Sequence, residues 1–103
     1  MPRYLTLHRW DVTPEEAAHI QSDLRTRVQK TNGFKPEDIK TVAGVDCSLK
    51  DEGQAAIVVL TFPGLEVVDR VVASRKLEFP YVPGLLSFRE VPLILDAVDR
   101  LKD

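Results

Sequence analysis

The sequence predicts a mixed α/β class of the α+β kind: a three-stranded antiparallel meander with one helix before it and a kinked helix after it. Three observations predict this arrangement. Thr13-Pro14-Glu15-Glu16 is a helix start, followed by apolar residues at helical spacing. Between residues 41 and 79, three runs rich in apolar and β-branched residues are separated by short turns, and short turns between successive strands require antiparallel pairing. After Gly84 an apolar stripe returns at helical spacing, with Pro92 set inside it.

Residues 1–12 read as a short extended arm with Trp10 as its apolar anchor. In the first helix Thr13 stands at the N-cap, Pro14 at the first helical position, and Glu16 reaches back to complete a capping box. Ala17, Ile20, Leu24 and Val28 share one face, Arg25, Arg27 and Lys30 suit the negative end of the helix dipole, and Asn32-Gly33 is the stop. Residues 34–40 link to the first strand, 41–49. Alternation puts Ala43, Val45, Cys47 and Leu49 on one face and Val42, Gly44, Asp46 and Ser48 on the other. Lys50-Asp51-Glu52-Gly53 is a polar turn. Residues 55–62 form a continuous β-branched and apolar run, expected as a central strand covered on both faces. Pro63-Gly64 makes the second turn. The third strand is expected from about residue 66 to 79, with Asp69, Arg70, Arg75 and Lys76 marking an exposed side. The last helix should run from about 85 to 101. Pro92 disfavours helix at Val91, which predicts a break at 90–92, a short first piece and a longer second piece carrying Leu93, Ile94, Leu95, Val98 and Leu101.

The most constrained stretch is Phe79-Pro80-Tyr81-Val82-Pro83-Gly84-Leu85-Leu86-Ser87-Phe88-Arg89-Glu90. Each proline fixes its own φ and holds the residue before it extended, so Phe79 and Val82 are both stiffened. Gly84 then frees the chain to turn into a helix. A loop that merely connected two elements would not need this rigidity around a large aromatic.

Composition bounds the function classes. A chain of 103 residues, 44% hydrophobic and 29% charged, is expected to be one soluble globular domain. Its net charge of −2 supplies no general attraction to nucleic acid or anionic membrane, so any phosphate contact must be local. A lone cysteine, Cys47, excludes an internal disulfide and suits a reducing cytoplasm. Met1-Pro2-Arg3-Tyr4 lacks a signal-peptide core, and no apolar stretch approaches a membrane span.

Two carboxylates stand out as candidates for chemistry. Asp46 is an aspartate inside a strand, with Gly44 leaving space two residues away on its own face, which suits either a bound ion or phosphate or simply solvent. Glu90 sits at the expected helix break after the rigid loop, and is either a ligand or a solvated helix residue. Tyr81 is either a presented aromatic or a core anchor. Arg89 reads as a surface or salt-bridged residue more than a phosphate ligand. His8 and His19 have no ligand spacing, and His19 is expected to face solvent. Cys47 shares a face with Ala43 and Val45 and reads as a small core residue. There is no phosphate-cradling glycine loop and no zinc pattern.

Val42-Ala43-Gly44-Val45-Asp46, the turn after Thr61-Phe62-Pro63, and the segment from Phe79 to Glu90 together resemble endonuclease V (deoxyinosine 3′ endonuclease). Trp10-Asp11-Val12-Thr13-Pro14-Glu15-Glu16-Ala17 is similar to that family's N-terminal helix, so the resemblance runs in order over nearly the whole chain. It implies a ribonuclease-H-like fold and a DNA-repair endonuclease that uses Mg²⁺, or Mn²⁺, to cleave a phosphodiester near deaminated bases such as hypoxanthine (inosine), in DNA or alternatively RNA. It implies that Asp46 is the metal-binding aspartate of the first strand and Glu90 the helix glutamate. It implies that Pro80, Tyr81, Val82 and Pro83, continued by Gly84 and Leu85, form a wedge whose tyrosine enters the duplex where the damaged base turns out. Val82 stands where isoleucine is usual and Cys47 where valine is common. The chemistry is consistent: carboxylates that hold Mg²⁺ supply an activated water and stabilise a leaving oxygen. A rigid aromatic that fills the gap offsets part of the cost of extruding a base.

The departure from the family is length. Its members are about twice as long, and the further half brings another aspartate, a histidine and much of the base pocket. The expectation is therefore that residues 1–103 are a single, incomplete domain, the N-terminal half of such an enzyme, inactive alone. It should associate with itself through the exposed first strand, or with a missing C-terminal half. The competing expectation is a non-catalytic module that self-associates or binds a partner.

Overall fold

The computed structural model describes residues 3–50 and 52–102. Met1 and Pro2 of the expected arm and Asp51 of the expected first turn lie outside the described residues. Helix α1 (Pro14–Arg25) starts as the capping box requires: the Glu16 N–H donates to Thr13 Oγ1 at 3.2 Å, and the Thr13 N–H donates to Glu16 Oε1 at 3.1 Å. The helix ends earlier than the spacing predicts, at Arg25 and not at Asn32-Gly33. The Thr26 hydroxyl donates to the Asp23 carbonyl at 3.0 Å and the Arg27 N–H to the Leu24 carbonyl at 2.9 Å, closing the last turn on itself. Val28, beyond that turn, is 65% exposed. With no apolar surface to bury it, further helical turns would gain little.

A single 3₁₀ turn (Pro36–Asp38) leads into the sheet. Strands β1 (Thr41–Leu49), β2 (Gly53–Thr61) and β3 (Val67–Arg75) form an antiparallel meander in the order β1-β2-β3. Val45 pairs with Ile57 and Ile57 with Val71, and a bulge falls at Val59/Leu60. Thr61 closes the second turn: its N–H donates to the Glu66 carbonyl at 2.8 Å, and its hydroxyl accepts from the Glu66 N–H at 3.0 Å.

Two expectations for the sheet need correction. β3 stops at Arg75 and not at Phe79, because Arg75 is already opposite Gly53, the first residue of β2; residues 76–79 have no strand to pair with. β2 is central but is covered on one face only: Ala55 and Ile57 are buried, while Ala56 and Val58 are exposed. Among the described residues a single helix packs on the sheet, and one helix covers one face.

That helix is α2 (Leu86–Val98), and it runs unbroken through Pro92 where a break is expected. Pro92 has no N–H to donate to the Phe88 carbonyl, a defect that costs about 3 kcal/mol in an exposed helix. Here Leu93 and Ala97, in the turns that follow, are completely buried against the sheet. Burying a side chain such as leucine contributes about 1.5–3 kcal/mol, so keeping the segment helical across Pro92 offsets much of the defect. The end of the helix is tied to β3. Arg75 pairs with Asp96 at 2.9 Å, Arg100 Nη1 donates to the Val72 carbonyl at 2.9 Å, and the Lys102 N–H donates to Asp69 Oδ2 at 2.9 Å.

The apolar interior has two parts, and α2 joins them. Ala55, Ile57, Ala73, Leu93, Ala97 and Leu101 make the core between sheet and helix, with Cys47 and Leu49 of β1 packed against it. Ala17, Phe79, Leu85 and Phe88 make a second cluster, sealed by Trp10, Val12, Ile20 and Val82. The extents of 43 × 34 × 21 Å agree with one sheet layer and one helix layer. No helix among the described residues is long and apolar enough to cross a membrane.

Candidate functional site

The proline-bracketed loop is pinned to the second cluster at both ends. Phe79 is buried at 9% exposure, Val82 is half-buried, Leu85 is buried at 7% and Phe88 at 4%. Between these anchors Pro80, Pro83 and Gly84 are exposed, and Tyr81 is 69% exposed. The Leu85 N–H donates to the Val82 carbonyl at 3.0 Å across Pro83-Gly84, and Gly84 has a φ of +87°. Proline followed by a glycine of positive φ, closed by that bond, is the arrangement of a type II turn. A side chain at Gly84 would meet open space, so glycine is required there by the backbone alone. Tyr81 is therefore not a core anchor, one of the two readings the sequence left open for it: its side chain is exposed.

The Tyr81 ring is not alone. The Arg89 guanidinium carbon lies 5.9 Å from its centroid, within cation–π range. Arg89 Nε is buried and has no hydrogen-bond partner. This corrects the expectation that Arg89 is a surface or ion-paired residue: it is half-buried and, among the described residues, forms no ion pair. Nothing in the local sequence signals the stack, because it depends on how the loop folds back over the first turn of α2.

The N-terminal arm contributes more than its sequence suggests. The His8 ring lies 4.4 Å from that of Trp10 and 5.5 Å from that of Phe88, and Trp10 and Phe88 are 5.3 Å apart. The arm is fastened at its start by the Tyr4 hydroxyl, which donates to Asp99 Oδ1 at 3.0 Å. Between arm, loop and α2 lies a cleft of about 570 Å³, with Trp10, Phe79, Pro80 and Arg89 among its walls. His19 is exposed, as expected.

Asp46 lies exposed on β1, opposite Ala56 of β2, with its Oδ1 accepting the Cys47 N–H at 3.0 Å. Glu90 is half-buried on α2. Cys47 lies within electrostatic reach of both carboxylates. Its thiol is pushed above the ordinary cysteine value, chiefly by burial and then by Glu90 and Asp46. A thiol kept protonated in this way is a poor nucleophile, and Cys47 packs as the core residue its strand position predicts.

As donors these two carboxylates suit a hard cation such as Mg²⁺ in kind, because that ion takes oxygen ligands and keeps several waters. In number they are part of a site. Among the described residues no group of three or more His, Cys, Asp or Glu side chains is placed to hold a metal. Asp46 lies on the face of the sheet that α2 leaves open, opposite exposed Ala56, whereas Glu90 is carried by α2, which packs on the other face against Ala55, Ile57 and Ala73.

A sequence profile of the Endonuclease V family matches residues 22–103. The chain is 45% identical over 102 residues to Endonuclease V of Gloeobacter violaceus, an alignment covering 94% of this chain and 41% of that protein. The crystal structure of Endonuclease V from Streptomyces avermitilis superposes with a TM-score of 0.81 at 42% identity, covering 91% of this chain and 42% of that one. Ciona intestinalis Endonuclease V, solved in complex with a 24mer DNA containing an inosine followed by a ribo-adenosine, superposes with a TM-score of 0.76 at 28% identity, covering 85% and 39%. The chain thus spans about two fifths of the length of the relatives it matches.

Proposed function

The chain belongs to the endonuclease V family, and we propose that it is the N-terminal part of a metal-dependent DNA-repair endonuclease that cleaves a phosphodiester near deaminated bases, above all inosine. The observation that carries this reading is the loop at 79–85: an exposed tyrosine held between two prolines, with buried residues before and after it. A side chain that opens a duplex must not yield when the base stack closes on it, and unstacking costs a few kcal/mol per step. Anchoring at Phe79, Val82 and Leu85 transmits that load to the aromatic cluster.

In this reading Tyr81 fills the space left by the extruded base, and Pro80, Val82, Pro83, Gly84 and Leu85 hold it there. Asp46 and Glu90 bind the metal, Mg²⁺ or Mn²⁺. When bound, the ion lowers the pKa of a coordinated water and stabilises the charge that develops on the leaving oxygen. In this reading Asp46 supplies one carboxylate from β1 and Glu90 another from α2. The relative that was solved with inosine-containing DNA supports the substrate class. The free cysteine supports a reducing, cytoplasmic setting.

These 103 residues alone hold two of the ligands, so we expect little or no nicking of an inosine-containing duplex in Mg²⁺ or Mn²⁺. Adding the remaining C-terminal part of a close relative in trans should restore nicking, and Asp46→Ala should abolish it. Nicking by the isolated chain near the rate of a full-length relative would show that its site, alone or as an oligomer, is complete. A second reading, a non-catalytic module that binds itself or a partner, is favoured by the uncovered sheet face at Ala56, Val58 and Val72. It would be established by failure of both nicking arms together with failure to bind inosine-containing DNA.

A further inference from the structure

The geometry points to Arg89 as the residue that positions Tyr81: its guanidinium lies against the tyrosine ring and fixes the ring relative to the helix that carries Glu90. The inference rests on the wedge reading above. Prolines and buried anchors fix the backbone of the loop, but they leave the Tyr81 side chain free to rotate at χ1 and χ2. A ring 69% exposed has few neighbours to choose its rotamer. The Arg89 guanidinium lies against it, with its carbon 5.9 Å from the centroid.

Arg89 suits this role for three reasons. Its Nε is buried without a hydrogen-bond partner, so the side chain is held in one place by packing and is not drawn away by a carboxylate. Among the described residues it has no salt bridge that would compete with the ring. Its position in α2 is adjacent to Glu90, and successive helix residues point about 100° apart. Arg89 can therefore face the loop while Glu90, the next residue of the helix, projects in a different direction. Adjacent positions on one helix then link the placement of the ring to that of the carboxylate. Leaving the buried Nε–H without a hydrogen-bond partner costs stability that an acceptor would recover, which argues for a function in this placement.

Nuclear magnetic resonance on the 103-residue chain tests the contact without DNA. The buried Arg89 Nε–H should give a resolved signal displaced by the ring, and Tyr81→Leu should return it to the position of an ordinary arginine. The Tyr81 ring signals should move towards their positions in an unstructured chain in Arg89→Met and stay near the parent positions in Arg89→Lys, which keeps the cation. Circular dichroism verifies folding of each variant, and Tyr81→Leu probes the same contact if Arg89→Met is unfolded. In binding to an inosine-containing duplex, Arg89→Met should weaken affinity about two- to five-fold, the size of an exposed cation–π contact. The dependence on salt should not change, and adding Tyr81→Leu should cause less than the product of the two effects. An Arg89 signal insensitive to Tyr81→Leu overturns the proposal. So does a salt dependence of binding lowered by about one phosphate contact in Arg89→Met with the Tyr81 ring signals unchanged, which makes Arg89 a phosphate ligand. If the chain binds no inosine-containing DNA, the functional reading fails, and the Arg89 and Tyr81 resonances still decide the role of Arg89.

Discussion

Tyr81 is 69% exposed, while Phe88, on the helix that follows it, is 4% exposed and packed among Phe79, Trp10 and His8. These two aromatics should answer oppositely to truncation. Phe88→Ala removes a ring from a closed cluster and should cost about 3–5 kcal/mol of stability. Tyr81→Ala should cost no more than about 0.5–1 kcal/mol, the range of an exposed cation–π contact. Denaturant unfolding of both variants checks the pair, and a loss of about 3 kcal/mol at Tyr81 would place it in the fold's interior and remove the wedge. Acid stability is also decided by single side chains. Asp69 is held below the ordinary aspartate range first by the Lys102 N–H and then by that of Arg70. Glu16 is lowered by the Thr13 backbone N–H and hydroxyl. Because the folded pKa of each lies below its unfolded value, their stabilisation is present at neutral pH and is lost as pH falls through about 4 and below. The thermal midpoint should therefore drop across that window, and Asp69→Asn should flatten the drop while lowering the midpoint at pH 7. An acid limb unchanged by Asp69→Asn would separate the Lys102 contact from stability.

At the scale of elements, Gly53 shows how tightly β2, β3 and α2 are fitted. A Cβ there would lie 2.7 Å from Leu77 Cδ2, 3.1 Å from Leu93 Cδ2 and 3.2 Å from the Arg75 carbonyl. The Leu77 methyl can swing aside, but Leu93 is fully buried and the carbonyl belongs to the ladder. Gly53→Ala should destabilise by about 1–3 kcal/mol, measured by thermal or urea unfolding; an unchanged or higher stability would mean that the edge of the core is looser than its geometry. The sequence makes the start of α1 legible because capping is local: Thr13, Pro14 and Glu16 act within one turn. Its end at Arg25 is not legible, because it depends on the absence of a surface for Val28. Likewise the three strands are written in their β-branched runs, but the end of β3 is set by where β2 begins. Pro92 is the clearest case. Local preference predicts a break, and burial of Leu93 and Ala97 on the sheet overrides it. At the site, the prolines and Gly84 announce a rigid turn from sequence alone. The cation over the Tyr81 ring requires a tertiary contact that no spacing rule contains.

At the scale of the whole molecule, the sheet has one covered face and one open face, and β1 is an edge. Val58 and Val72 on the open face are 37% and 55% exposed, and Val45 on β1 is 47% exposed. From Thr41 to Leu49 the edge contains neither lysine nor proline, the residues that usually discourage pairing with another chain. Its relatives are more than twice as long, so in them further chain is available to lie against these surfaces. For these 103 residues on their own, we expect self-association, through pairing along β1 or packing of the open face. Sedimentation at micromolar concentration should show dimers or larger species whose proportion rises with concentration. Val45→Lys puts a charge beside the β1 edge and should shift the population towards monomer. It should leave thermal stability within about 0.5 kcal/mol, as for an exposed site. If the open face alone mediates association, Val72→Lys will act and Val45→Lys will not. A chain that stays monomeric at every concentration, with its outward β1 amides slow to exchange, would show that the edge is protected by something other than a second copy.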